Sequence, residues 1–365
     1  MQQFLAPALA FMLAFALTPL MRRLAVRVGA LDHPGGRKKH GHAMPLLGGV
    51  AVYLAFWITA AIILIYIPGS EKLRGLFWAS SLILAVGLYD DIKGMSYKAK
   101  FAGQFVAAFI LLAYNIRIEF ITVPFQDMVF LGIFVVPLTL FWVVGVTNAV
   151  NLADGVDGLA TGICIIAAAV MCALTFGDFP LIALLALSLA GAALGFLPHN
   201  FAPARIFLGD SGSLFLGFML AAFSIMTVTK QATLTTLVIP ILILGLPIFD
   251  TCYAMFRRLR NRRPIFQADN GHIHHRLLDM GLGPRRTVMV LYFGCIYFGA
   301  AAFAFERLAF GVSNFYFIPL VFAFFALMIK YMDNVSAFFA AAGGFITPIK
   351  REEKTGKEIH KNFPS

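Results

Sequence analysis

The 365-residue chain is 60% hydrophobic, carries only 13% charged residues and has a mean hydropathy of +0.84. Soluble domains of this length hold about 25% charged residues, so the composition excludes a soluble globular protein and makes lipid the solvent for much of the surface. The formal net charge of +11 suits basic loops against anionic lipid, or a polyanionic substrate. Nucleic acid is excluded as a partner because no basic soluble module stands apart from the apolar stretches.

A spanning helix needs about 20 mostly apolar residues, and lipid offers no partner to a backbone that is not helical. The sequence therefore predicts an all-α, polytopic protein with spans near 3–20, 45–67, 74–89, 101–118, 128–147, 159–176, 180–197, 212–229, 234–255, 288–305 and 314–331, about eleven in all. The apolar run at the N-terminus has no Arg or Lys before Met21 and no clear cleavage site, so it reads as a retained first span. Positive charge collects in alternate gaps: Arg22, Arg23, Arg27 and Arg37 to Lys39 in one, Lys93, Lys98 and Lys100 in another, then Arg205 and the run from Arg257 to Arg263. By the positive-inside rule these gaps are cytoplasmic, the N-terminus lies outside and the C-terminus inside. Residues 1–332 form one transmembrane domain in this reading, and 333–365 a loose polar tail. Cys164, Cys172, Cys252 and Cys295 all fall in apolar stretches and read as small core hydrophobes.

The chemistry-bearing residues gather in the basic gaps. In the first, Asp32-His33-Pro34-Gly35-Gly36-Arg37-Lys38-Lys39-His40 precedes Pro45 and Gly48-Gly49; cations beside bare glycine backbone suit phosphate. The second holds Asp90-Asp91, then Lys98 and Lys100, and adjacent carboxylates at a helix end need a cation or a proton between them. In the third, Asn148, Asn151, Asp154 and Asp157 recur every third residue, with Gly155 and Gly158 permitting tight turns; these are hard oxygen donors of the kind Mg²⁺ and phosphate chemistry use together. The fourth, Phe207-Leu208-Gly209-Asp210-Ser211-Gly212-Ser213, puts a carboxylate at a helix start, as an N-cap or as a metal ligand facing phosphate. The fifth runs from Arg257 through Arg263 to Asp269, then His272-Ile273-His274-His275-Arg276; without cysteine or an HExxH pattern, zinc is disfavoured and a diphosphate favoured. Asp250, inside the ninth span, is expected to salt-bridge an arginine of this loop.

Taken in order, DHPGGRKKH with PLLGG, the aspartate pair at 90–91, NAVNLADGVDGLA, FLGDSGS and HIHH resemble the polyprenyl-phosphate N-acetylhexosamine-1-phosphate transferase family, from Asp32 to about Leu277. The resemblance implies that a membrane polyprenyl phosphate attacks the β-phosphorus of a UDP-amino sugar, giving polyprenyl-diphosphate-sugar and UMP, with Mg²⁺ or, in its place, Mn²⁺. HIHHR after an arginine-rich run looks like the bacterial branch using UDP-N-acetylglucosamine and undecaprenyl phosphate, which starts teichoic acid, O-antigen or similar polymers; the branch using UDP-MurNAc-pentapeptide carries three consecutive histidines instead. On these motifs Asp90, Asp91, Asp154 and Asp157 are expected in catalysis, and Asp210 with Asn151 at the metal. Lys100, which the resemblance places on the lipid phosphate, is expected in substrate binding with Asn148, Asn151, Arg257, Arg263, His272, His274, His275, Arg37, Lys38 and His40. Direct attack is favoured over a covalent phospho-aspartate, a homodimer is compatible with the chain, and a transporter of phosphorylated lipid is the alternative of another class.

Overall fold

The structure, a computed structural model, describes residues 2–33, 43–67, 71–122, 128–228, 238–262, 271–308 and 319–327. Helix α1 (Gln2–Val28) leads to a minimal antiparallel pair, β1 (Leu31–Asp32) with β2 (Met44–Pro45), and then to α2 (Gly48–Tyr66), α3 (Glu71–Lys93) and α4 (Tyr97–Ala113). A second antiparallel pair, β3 (Phe120–Thr122) with β4 (Met128–Phe130), precedes α5 (Val135–Ala153), α6 (Leu159–Thr175), α7 (Pro180–Asn200) and α8 (Gly209–Val228). The chain continues through α9 (Val238–Ile243), α10 (Gly245–Arg260), α11 (Ile273–Asp279) and α12 (Pro284–Leu308).

Among the described residues, seven helices are long and apolar enough to cross a membrane. The expected count of eleven is not reproduced on that criterion: α4 and α6 have 17 residues each, the ninth apolar stretch is divided at Leu244 into α9 and α10, and the eleventh shows only 319–327 as helix. The expected start of the fifth span at 128 is also corrected, because Met128–Phe130 is a strand paired in register with Phe120–Thr122 and the helix begins after one 3₁₀ turn at Gly132–Phe134. Of the cysteines, Cys252 departs from the core reading and is exposed, whereas Cys164, Cys172 and Cys295 are buried. The tail at 333–365 lies outside the described residues.

Helix α8 is the axis of the fold: 89% of its apolar window is buried, against α2, α3, α5 and α6. Small residues permit this, since in lipid close backbone approach supplies the packing that hydrophobicity supplies in water. A Cβ on Gly49 would fall 2.1 Å from the Gly212 nitrogen, and one on Gly87 would fall 2.5 Å from Ser211 Cα. The backbone before α8 is laced to the start of α2: Phe207 N–H donates to Pro45 O (2.8 Å) and Gly49 N–H to Leu208 O (2.9 Å). The PLLGG segment therefore packs on FLGDSGS, and its two glycines, which open α2, serve close helix contact. On the other flank α7 meets α1 by the same device at a spacing of four, with Gly191 against Pro7 O and Gly195 against Phe11 O.

Candidate active site

The packing of α8 on α2 and α3 brings two of the polar segments together. Asp90 and Asp91 occupy the last turn of α3, and Asp210 the first turn of α8. Adjacent positions on a helix diverge by about 100°, and the two aspartates do different things. Asp91 accepts the Asp210 N–H at 2.8 Å and the Ser211 N–H at 3.0 Å, so its carboxylate caps the N-terminus of α8. Those amides would otherwise lack an intrahelical partner, and a negative group is favoured there. Asp90 instead lies 2.9 Å from Lys100 Nζ, with its other oxygen accepting the Met95 N–H.

Lys100 completes the group from the first turn of α4, where Ser96 provides the N-cap. Its ammonium bridges Asp90 and Asp210. With Lys100 and Asp90 only 17% and 14% exposed, this is a sheltered pair and not a solvated one; removing one member of such a pair costs about 3–5 kcal/mol. Asn151, in the last turn of α5, donates through Nδ2 to Asp210 Oδ1 (2.6 Å) and to Ser213 Oγ (2.8 Å). Asp210 is thus held from two sides, by an ammonium and an amide.

Asp154 closes α5 and begins the turn that ends at Gly158, whose φ of +82° starts α6 in a conformation glycine adopts without strain. Its carboxyl has no hydrogen-bond partner among the described residues and remains partly accessible. Desolvation pushes Asp154 up to about 8, and the charges of Asp210, Asp91 and Asp157 push in the same direction. A desolvated, unpartnered carboxyl beside like charges is a place where a cation would be stabilised.

Other residues expected in the site make their contacts outside the Lys100 group. Asp157 accepts the Ala204 N–H (2.9 Å) and braces the segment before α8. Asn148 exchanges hydrogen bonds with the buried Gln104 (2.5 and 3.4 Å) and also donates to Val144 O, so its amide links α4 to α5. The phased row at 148–157 therefore splits between a helix link, the cleft and a loop brace, because the helix ends at Ala153. Asp250 does not pair with an arginine as expected: its partners are His272 and the Ile273 N–H, each at 2.9 Å. Arg257 donates to Gly271 O (2.6 Å) and lies over the Tyr253 ring. His274 packs on Gly155, where a Cβ would sit 2.4 Å from its Nε2, and the His275 ring centroid is 4.2 Å from that of His274. Arg37, Lys38, His40 and Arg263 lie outside the described residues. Gln104 and Tyr292, whose hydroxyl donates to Gly158 O (2.7 Å), are supports the sequence did not reveal; Gln104 follows Lys100 by one helical turn, which is the only signal it carries.

The chain is 38% identical over 307 residues, 84% of its length and 85% of the relative's, to the probable undecaprenyl-phosphate N-acetylglucosaminyl 1-phosphate transferase of Bacillus subtilis. Residues 73–228 match the model of glycosyl transferase family 4. The chain belongs to that family. It is similar also to the decaprenyl-phosphate N-acetylglucosaminephosphotransferase of Mycolicibacterium smegmatis (34% identical; 80% of each chain) and to the undecaprenyl-phosphate alpha-N-acetylglucosaminyl 1-phosphate transferase of Thermotoga maritima (30%; 76% of this chain and 83% of the relative). These relatives place it in the bacterial N-acetylglucosamine branch of the polyprenyl-phosphate N-acetylhexosamine-1-phosphate transferases, as a multi-pass membrane phosphotransferase. For this glycosyl transferase the matched region runs from α3 to the end of α8 and holds Asp90, Asp91, Lys100, Asn151, Asp154 and Asp210; α10, α11 and their histidines lie beyond it.

The capping role of Asp91 gives a first expected result. Asn in its place keeps one acceptor but turns an amide N–H₂ toward the second α8 N–H, and a hydrogen bond to a charged group contributes about 1.5–3 kcal/mol. Asp91→Asn should lower the detergent melting temperature and, by loosening the helix start that carries Asp210, the turnover of the protein that remains folded. Melting and turnover both at the wild-type level would show that the cap contributes nothing.

Proposed function

We propose that the chain transfers N-acetylglucosamine-1-phosphate from UDP-N-acetylglucosamine to undecaprenyl phosphate on the cytoplasmic face of a bacterial inner membrane, releasing UMP, as the first membrane step of a cell-envelope glycopolymer. The observation that carries this reading is the Lys100 ammonium set between Asp90 and Asp210, near Asp154, which has no partner among the described residues, at helix ends that a lipid head group and a soluble nucleotide could both reach. Transporters place such groups near the bilayer midplane. Here they occupy the last turn of α3, the end of α5 and the first turn of α8, which favours transfer chemistry at the surface.

In the proposed reaction an oxygen of the lipid phosphate attacks the β-phosphorus of the nucleotide, and the bond from that phosphorus to the bridging oxygen breaks, so that UMP leaves with the bridge. A phosphate monoester has a second pKa of about 6 and is largely ionised near neutral pH, so the protein's main task is positioning and charge compensation. Lys100 is placed to receive the lipid phosphate in exchange for part of its contact with Asp90. Asp91 fixes the helix that carries Asp210. The arginines and histidines of α10 and α11 are proposed to hold the diphosphate and uridine side, because His274 packs on Gly155, the neighbour of Asp154, and Arg257 donates to Gly271 just before the histidine run.

The donor set fits Mg²⁺. Among the described residues no three His, Cys, Asp or Glu side chains converge on one point as an all-protein cage would, and Mg²⁺ favours one or two carboxylates completed by phosphate oxygens and water. Asp210 would hold it, with Asn151 Oδ1, which has no partner among the described residues, as a second donor; bound there it would offset the charge of the diphosphate. The test is turnover of purified protein with radiolabelled UDP-N-acetylglucosamine or UDP-MurNAc-pentapeptide, undecaprenyl phosphate and Mg²⁺. The first nucleotide alone should label the lipid, and chelation should stop it; labelling from the pentapeptide nucleotide would transfer the chain to the other branch. Within the same assay His274→Ala should raise the KM for the sugar nucleotide by about tenfold, the loss of roughly one charge-assisted hydrogen bond. The lipid KM should stay unchanged, and a rise confined to the lipid would reverse the two roles.

A further inference from the structure

Asp250 lies outside the cleft and outside the motifs that single out the site, yet the start of α11 is anchored to it. It sits in the second turn of α10, 8% exposed. Its Oδ1 accepts the N–H of Ile273, the first residue of α11, and its Oδ2 is 2.9 Å from His272 Nδ1. The backbone contact fixes the carboxylate, and this leaves the second oxygen aimed at the imidazole. A carboxylate oxygen and a ring-nitrogen lone pair repel at that distance, so Nδ1 carries the proton and donates it. The ring is held on a face as well: it stacks on His274, with centroids 5.7 Å apart and planes within 1° of parallel. His274 in turn rests on the bare Cα of Gly155, the neighbour of Asp154. His272 Nε2, on the ring edge away from Asp250, has no partner among the described residues.

We infer that Asp250 is a positioning residue for the transfer reaction: it holds His272 in the Nδ1–H tautomer with Nε2 presented to the diphosphate of the sugar nucleotide, and through the His272–His274 stack it sets the start of α11 against the Asp154 turn. The inference rests on the functional reading above. A carboxylate behind a working histidine fixes its orientation and tautomer without itself touching substrate. That division of labour explains a carboxylate held only 8% exposed, where a charge is costly unless paired.

Asp250→Asn is the informative change because it is nearly isosteric. The Asn carbonyl can still accept the Ile273 N–H, while its N–H₂ faces His272 Nδ1 and forces the opposite tautomer. With full-length protein in detergent, D250N should raise the KM for UDP-N-acetylglucosamine about tenfold, equivalent to about 1.4 kcal/mol, and leave the KM for undecaprenyl phosphate and the melting temperature near wild type. In a His272→Ala background D250N should add nothing further to the nucleotide KM, since residues acting through one group are not additive. Nitrogen-15 spectra of the histidine rings should show His272 protonated on Nδ1 in the wild type. An unchanged nucleotide KM in D250N, the same rise with and without His272, or a wild-type ring protonated only on Nε2 each overturns the assignment; if D250N does not fold, the wild-type spectrum decides. A wild type that turns over no UDP-N-acetylglucosamine at all overturns the functional reading, and this inference with it.

Discussion

Asp210→Ala should abolish turnover, by about a thousandfold or more, in a protein that still inserts and stays folded in detergent. The size of the loss is that of removing a preorganised charged group from the place where charge must be managed in the transition state. The fold should survive for reasons visible in the contacts. Asp91 binds the backbone N–H of residue 210, which alanine retains, and Lys100 keeps Asp90 as its counter-charge. Asn151 keeps Ser213 Oγ as an acceptor. Turnover and a melting curve on the same preparation check this: near-normal activity at ordinary Mg²⁺ would remove Asp210 from the chemistry, and a protein that fails to fold would show that its ion pair with Lys100 is structural.

Gly49→Ala should cause a large loss of folded protein. The new Cβ would sit 2.1 Å from the Gly212 nitrogen and 2.4 Å from its Cα. These are backbone atoms of the central helix, with no flexible tip to move aside. Relief requires separating α2 from α8, which breaks the Gly49 N–H to Leu208 O contact and moves the helix start that carries Asp210. Overpacking of a filled core costs about 1–3 kcal/mol when side chains can adjust, and this site lies at or above the upper end because they cannot. The control is Gly177→Ala, where nothing lies within 4 Å of the added atom, and its melting temperature should match wild type. A Gly49→Ala protein as stable as that control would mean that α2 and α8 do not pack as described.

Much of this arrangement was legible in the sequence, and the rest failed for identifiable reasons. Composition gave the helical membrane class, and the polar segments held the residues that converge: Asp90, Asp91, Lys100, Asn151 and Asp210. Helical geometry implied that two adjacent aspartates must diverge, but which of them met Lys100 depended on a helix more than a hundred residues away. Glycine gives one signal for two uses, close anion contact and close helix contact, and only the structure shows that Gly48-Gly49 serve the second. The apolar run at 128–130 was absorbed into a span because three residues are too few to reveal an alternation of period two. Pro240, Gly245 and Pro247 did mark the division between α9 and α10, and the expected single span passed over them. Asp250 was assigned to nearby arginines, whereas burial selects a partner by shape, and His272 comes back to it across a loop.

Transfer of a sugar phosphate from a nucleotide to a lipid phosphate in this cleft is tested by following the phosphorus. Purified protein in detergent is given UDP-N-acetylglucosamine labelled with ³²P in the β-phosphate, undecaprenyl phosphate and Mg²⁺, and the lipid and aqueous phases are separated. Such transfer puts label in the lipid diphosphate-sugar and an equal amount of unlabelled UMP in water, and neither is expected with Asp210→Ala. Label recovered in water as N-acetylglucosamine-1-phosphate or as free phosphate, or left in intact nucleotide beside a competent lipid acceptor, would contradict it.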